Sequence, residues 1–179
     1  SQGDFITFMD HDDLWMPEML ERQLSAFDSD TILVYGNYIT KNMLTGREYM
    51  SFDPDREFYS GWVAEKLFKK NFIFLESVVV RAEAVRKLGE AFDVQLRVAD
   101  DIDFLQRLSL IGPFKYTTYV TCLYRMHPDN LTTSKKHYFV HDFSYMLKKY
   151  RGKVPDRLLK DLARQYVLTV RVDLYHSGY

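Results

Sequence analysis

One stretch near the start of the chain constrains its fold more than any other: a short apolar run followed at once by carboxylates. Residues 5–9 are apolar or β-branched, which predicts a buried strand of the kind found inside a parallel sheet. Asp10, Asp12 and Asp13 follow directly. Because open α/β sheets bind ligands beyond the carboxyl ends of their strands, we expect these acids to face a binding site and not the core.

Asp10 and Asp12 form an Asp-x-Asp motif, which supplies hard oxygen ligands with room left for phosphate and water. Ligands of this kind hold Mg²⁺ or Mn²⁺ against a diphosphate. The alternative is that the acids only cap the next helix, which we expect over about residues 17–27. The strand before the motif and the sequence WMPE after it, residues 15–18, favour a site.

The rest of the chain alternates strand and helix patterns, which predicts an α/β fold. The expected strands are 32–39, 47–52, 72–81 and 114–125, and the expected helices are 55–70, 82–88, 100–111, 141–150 and 156–175. Gly89 and Gly112 are placed to end two of these helices.

Two further polar groups carry candidate chemistry. Asp100 and Asp101 lie at the amino end of a predicted helix, where the helix dipole favours the charged form and keeps a carboxylate ready to accept a proton. Arg125 and His127 follow a predicted strand; imidazole is a ligand for Mn²⁺, and an arginine binds phosphate or holds a carboxylate in place. The alternatives are a simple helix cap for the acids and an ordinary surface or core role for the histidine.

Composition excludes several classes of function. Lys plus Arg number 24 and Asp plus Glu 25, so the net charge of -1 gives no footprint for nucleic acid. A single cysteine, Cys122, excludes an internal disulfide and a cysteine-based metal site, and its apolar surroundings predict a core position. We find no transmembrane or signal segment. The chain opens without Met, and from this we expect a fragment or an internal boundary.

Three motifs together resemble those of the family 2 glycosyltransferases, which are inverting enzymes of the GT-A fold. Residues 8–18, FMDHDDLWMPE, resemble the DxD segment of that family. Residues 77–108 resemble its second signature, a Val-x-Arg strand, a helix ending in Gly, and Glu-Asp-x-Asp, with Asp100 in place of the Glu. Residues 124–127, YRMH, resemble its Tyr-Arg-x-His.

The resemblance implies an α/β fold: a partial GT-A, Rossmann-like mixed sheet flanked by helices. Residues 1–134 would be the latter, carboxy-terminal part of the catalytic domain, with the amino-terminal nucleotide-binding half outside this chain. Residues 135–179 would form a helical carboxy-terminal extension that packs on the sheet; the alternatives are a face for a homo-oligomer and a membrane-surface contact.

The resemblance also implies a hexosyltransferase-type activity. The donor would be a UDP- or GDP-sugar and the acceptor a hydroxyl on a glycan or lipid-linked glycan, in bacterial polysaccharide or glycoconjugate synthesis, in the cytoplasm or at the membrane periphery. The implied roles are Mn²⁺ or Mg²⁺ ligation by Asp10, Asp12 and His127, substrate binding by Asp10, Asp13, Asp100 and Arg125, and proton abstraction by Asp101.

Two other functions fit parts of the pattern. A dehalogenase-type phosphatase would use Asp10 as nucleophile and Asp12 as acid, but Leu14 stands where that class expects Thr or Val. A noncatalytic module would keep the scaffold for binding protein or glycan, and the retention of all the acids argues against it.

Overall fold

The computed structural model describes residues 2–50, 58–131, 135 and 137–176, with side chains described as far as residue 168. The strands are β1 (Phe5–Thr7), β2 (Leu14–Trp15), β3 (Leu33–Asn42), β4 (Glu48–Met50), β5 (Val78–Arg81) and β6 (Phe114–Met126). The helices are α1 (Met19–Ser25), α2 (Ala64–Lys69), α3 (Ala82–Leu88), α4 (Asp100–Ser109), α5 (Tyr138–Tyr150) and α6 (Asp156–His176), with a 3₁₀ turn at Leu75–Ser77.

The described strands form one mixed sheet in the order β1-β5-β3-β6-β2, with β4 paired to β3. Strands β3 and β6 run parallel, and their register shifts twice around Asn37. The pairings of β1 with β5, β5 with β3, and β2 with β6 are antiparallel. The first half of β3 is buried on both faces, which explains its nearly continuous apolar sequence.

The expected buried parallel strand over residues 5–9 is wrong in two respects. Strand β1 covers only Phe5–Thr7, is half-buried, and pairs antiparallel with β5. The strand expected over residues 72–81 is also shorter, because Leu75–Ser77 forms a 3₁₀ turn before β5 begins at Val78. Local periodicity indicates an extended apolar segment but does not choose its partner strand.

The helix expected over residues 55–70 forms only as α2, from Ala64 to Lys69. Residues 55–57 lie outside the described part of the chain. Gly61, with φ of 90°, exchanges two main-chain hydrogen bonds with Phe114, which holds this stretch against the start of β6 in place of a helical turn. The predicted hairpin is confirmed as far as Met50, where β4 ends; its expected residues 51 and 52 lie outside the described part.

Helices α3, α4 and α6 form within two residues of their predicted bounds, α5 begins at Tyr138, three residues before its predicted start, and Gly89 ends α3 with φ of 75°. Cys122 is buried in β6, as expected. Together these elements give a mixed sheet flanked by helices with a helical carboxy-terminal part, which is a partial GT-A, Rossmann-like α/β fold. Among the described residues, no helix combines the length and apolar content needed to cross a bilayer.

Two apolar cores hold these elements together. The first lies between the sheet and helices α2 to α4 and includes Tyr35, Val78 and Phe104. The second joins α5 and α6 to the rest of the chain, because Phe143 and Leu162 pack in the same cluster as Phe68 of α2 and Ala99 before α4. The carboxy-terminal helices therefore contact the segment that leads into the Asp100–Asp101 pair.

Candidate functional site

The three sequence motifs meet beside the carboxyl end of β1. Phe8, directly after that strand, packs edge-on against Phe104 of α4 with ring centroids 5.5 Å apart, and against Phe92 at 5.4 Å. These contacts dock the amino-terminal part of α4 next to the loop that carries Asp10. The end of β6 approaches the same loop from the other side through Arg125.

Asp12 and His127 form a direct pair at the centre of this arrangement. His127 Nε2 lies 2.9 Å from Asp12 Oδ2, and the Asn130 side-chain amide donates to the same oxygen at 3.2 Å. The Asn130 Oδ1 atom accepts a hydrogen bond from the His127 main-chain N–H at 2.6 Å. Burial acts to raise the pKa of Asp12, but the His127 hydrogen bond and nearby positive charge hold it below its usual value.

Asp13 and Arg125 make contacts within the protein. Asp13 is buried, and its Oδ1 accepts a hydrogen bond from the Arg125 main-chain N–H at 2.8 Å. The Arg125 side-chain Nε donates to the main-chain carbonyl of Asp12. Burial, together with the charges of Asp12 and Asp10, raises the pKa of Asp13 to about 6. These contacts fix the acidic loop to the end of β6, and a substrate contact for either residue stays a prediction.

Glu76 is a member of the site that the sequence did not reveal. It is buried in the 3₁₀ turn, and burial together with the neighbouring charges of Asp10 and Asp13 raises its pKa to about 9. The indole N–H of Trp15 donates to the Glu76 carbonyl at 3.2 Å. A lone acid within the apolar run of residues 72–80 was the one sequence signal that could have identified it.

Asp100 and Asp101 are the first two residues of α4. Burial and the charges of Asp100 and Asp10 raise the pKa of Asp101 to about 7, and the pKa of Asp100 is also raised, first by burial. Asp101 Oδ1 accepts a hydrogen bond from the Ile102 N–H at 2.7 Å. Burial and like charge therefore outweigh any preference of the helix amino terminus for the charged form.

Two of the three predicted metal ligands are in contact. Among the described residues, no group of three or more His, Cys, Asp or Glu side chains is arranged to hold a metal ion. Mg²⁺, however, is commonly bound by one or two protein ligands together with substrate phosphates, and Mn²⁺ accepts carboxylate and imidazole. The Asp12–His127 pair, one oxygen and one nitrogen 2.9 Å apart, fits that role. Asp10 ligation stays a prediction.

Comparison with protein-family models matches residues 1–88 to Glycosyl transferase family 2. No curated protein matches the chain. The family match lies over the amino-terminal region of this chain, so the carboxy-terminal label that the sequence suggested is corrected. It includes Asp10, Asp12, Asp13 and Glu76, and it ends before Asp100. Residues 1–88 are therefore similar to a family 2 glycosyltransferase region, and the partial GT-A fold agrees with this match.

Proposed function

We propose that the protein is an inverting glycosyltransferase that moves a sugar from a nucleotide-diphosphate sugar to a hydroxyl acceptor, with a divalent cation bound at the donor. One observation carries this proposal: the acidic loop after β1 contacts His127 through Asp12 at 2.9 Å and packs on α4 through Phe8, so the acids of the first two motifs and the histidine of the third share one site. The family match supports a transferase over the phosphatase alternative.

Asp101 is the proposed general base. A base acts best when its pKa lies near the working pH, and a value of about 7 meets that condition. The acceptor hydroxyl would give its proton to the Asp101 carboxylate while its oxygen forms a bond to the anomeric carbon. The bond from that carbon to the diphosphate oxygen breaks on the opposite face, and the electron pair leaves with the diphosphate. One displacement gives inversion and requires no covalent nucleophile.

Asp12 and His127 are the proposed protein ligands of Mn²⁺ or Mg²⁺, and Asn130 holds both in place. The bound cation would supply Lewis-acid stabilisation of the charge that develops on the leaving diphosphate. Asp13 accepts a hydrogen bond from the Arg125 main-chain N–H and so joins the loop that carries Asp12 to the end of β6. This contact would hold Asp12 next to His127.

The donor, the acceptor, the pathway and the cellular location are proposed from what is usual for family 2 glycosyltransferases. We propose a UDP- or GDP-sugar donor, a glycan or lipid-linked glycan acceptor, and a place in bacterial polysaccharide synthesis. We also propose the cytoplasm as the location, because nucleotide sugars are the expected donor pool there. Residues 135–179 are proposed as a helical extension of a catalytic domain that covers residues 1–134.

Calorimetric titration of UDP and GDP, each with and without Mn²⁺, tests the proposal. We expect Mn²⁺-dependent binding of one nucleotide that is lost in Asp12→Ala. Asp30→Ala is the matched control, because this exposed aspartate lies in the loop before β3 and, among the described contacts, its side chain bonds only to Ser29. Binding that needs no Mn²⁺, or that survives Asp12→Ala, contradicts the proposed metal role. If neither UDP nor GDP binds, other nucleotide diphosphates are titrated next. If none of them binds, the protein is better described as a noncatalytic module.

A further inference from the structure

Helix α5 holds the segment that leads into the Asp100–Asp101 pair through a single buried carboxylate. Asp142 is fully buried, and its Oδ2 accepts hydrogen bonds from the main-chain N–H groups of three successive residues: Arg97 at 2.8 Å, Val98 at 2.8 Å and Ala99 at 3.1 Å. These residues immediately precede α4. One carboxylate from a distant part of the sequence therefore fixes the backbone conformation just before the candidate base.

The other carboxylate oxygen of Asp142 has its own partner. His141 Nδ1 lies 3.0 Å from Asp142 Oδ1 at a position where the histidine is largely exposed. The hydrogen bonds to Asp142 hold its pKa below the ordinary value although burial acts in the opposite direction. Asp142 is therefore charged at neutral pH, and hydrogen bonds to a charged acceptor are the stronger kind.

The same helix also holds the first turn of α4 beyond the pair. Lys149 Nζ lies 2.8 Å from Asp103 Oδ2, and the Tyr150 hydroxyl donates to Asp103 Oδ1 at 2.9 Å. Asp103 is fully buried. Helix α5 thus contacts the chain on both sides of Asp100 and Asp101: at residues 97–99 before the pair, and at Asp103 after it.

We propose that Asp142 is a positioning residue, which sets where Asp100 and Asp101 stand relative to Asp10. This inference rests on the proposed role of Asp101 as the base. Nothing in the family match assigns such a role, because the match ends at residue 88. Asp142 does not touch the reacting atoms; it acts through the main chain of residues 97–99. The helical extension then contributes directly to the geometry of the catalytic site.

The test compares wild type with Asp142→Asn and Asp142→Ala in two measurements. The first is amide hydrogen exchange, in which we expect residues 97–101 to exchange about tenfold faster or more in Asp142→Ala, with the amides of β3 unchanged. The second is steady-state kinetics, in which we expect kcat to fall about tenfold or more while KM for the donor changes little. Asp142→Asn keeps one acceptor oxygen, so its exchange rates and its kcat should lie between those of wild type and Asp142→Ala.

Asp28→Asn is the matched control. Asp28 Oδ1 also accepts hydrogen bonds from a loop, at Thr31 N–H, Thr31 hydroxyl and Asp30 N–H, but it lies in the loop before β3, and no described hydrogen bond joins it to residues 97–101. We expect this variant to leave exchange at residues 97–101 and kcat unchanged. Unchanged exchange in Asp142→Ala overturns the proposal, as does faster exchange with unchanged kcat. If wild type transfers no sugar, the proposed function fails, while the exchange measurement still decides whether Asp142 orders residues 97–101.

Discussion

Replacing Asp101 by Asn should stabilise the fold at alkaline pH while it removes the proposed base. The pKa of Asp101 is raised from 3.8 to about 7 in the folded protein. A folded pKa above the unfolded one means that the folded state binds more protons between these two values, so this carboxylate lowers the stability as pH rises through that window. Asn has no charge to bury and its Oδ1 still accepts the hydrogen bond from Ile102 N–H.

The magnitude follows from the difference in pKa. A difference of about 3 pKa units corresponds to about 4 kcal/mol at 1.36 kcal/mol per unit. Asp101 is partly exposed, and solvent screening reduces the effect, so we expect a gain of about 2 kcal/mol in the free energy of unfolding above pH 7. Near pH 3, below both pKa values, both states of wild type are largely protonated, and the two proteins should differ by less than about 0.5 kcal/mol.

Urea denaturation of wild type and Asp101→Asn at several pH values measures this difference. The comparison variant is Asp28→Asn, which should show the opposite slope. Hydrogen bonds from Thr31 hold the pKa of Asp28 well below its usual range, so its carboxylate stabilises the fold at neutral pH and this stability is lost as pH falls. A difference between wild type and Asp101→Asn that stays constant from about pH 4 to about pH 8 would refute the reasoning.

Three further predictions concern packing and the buried acid. Gly36→Ala should cost about 1–3 kcal/mol of stability in a thermal melt, because a Cβ at Gly36 would clash with Thr121 Cγ2 and lie 2.6 Å from the Tyr119 carbonyl oxygen on β6. Leu162→Ala should cost about 2–5 kcal/mol, since Leu162 is fully buried in the second core. Glu76→Gln should change the denaturation midpoint little at pH 7, because a pKa of about 9 already keeps Glu76 neutral; a large loss would contradict that protonation state.

The sequence predicts the elements whose signal is local. Strand β6 and helices α3 and α4 lie where apolar periodicity and glycine ends place them. Pairing partners are not local: residues 5–9 read as a parallel strand, yet β1 pairs antiparallel with β5 more than 70 residues away, with Phe5 opposite Arg81. The family resemblance predicts that Asp12 and His127 belong to one metal site, and in the structure His127 Nε2 lies 2.9 Å from Asp12 Oδ2.

The sequence misses the parts of the site that depend on distant partners. Glu76 becomes a site residue only because the 3₁₀ turn places it beside Asp10 and Asp13. Asp142 reads as one polar residue of an amphipathic helix, and its three partners lie more than 40 residues earlier. The sign of the pKa change at Asp101 also depends on burial, which the helix position alone does not reveal.

The site gathers acids that oppose one another's ionisation, and the surrounding structure must hold them together. Asp13, Glu76 and Asp101 all have raised pKa values, first through burial and then through neighbouring carboxylates. These buried acids lower the free energy of unfolding, and the two apolar cores and the Asp142 hydrogen bonds offset that loss. A chain selected only for stability would neutralise these acids, so their concentration at one end of β1 is itself the strongest physical argument that they serve a reaction.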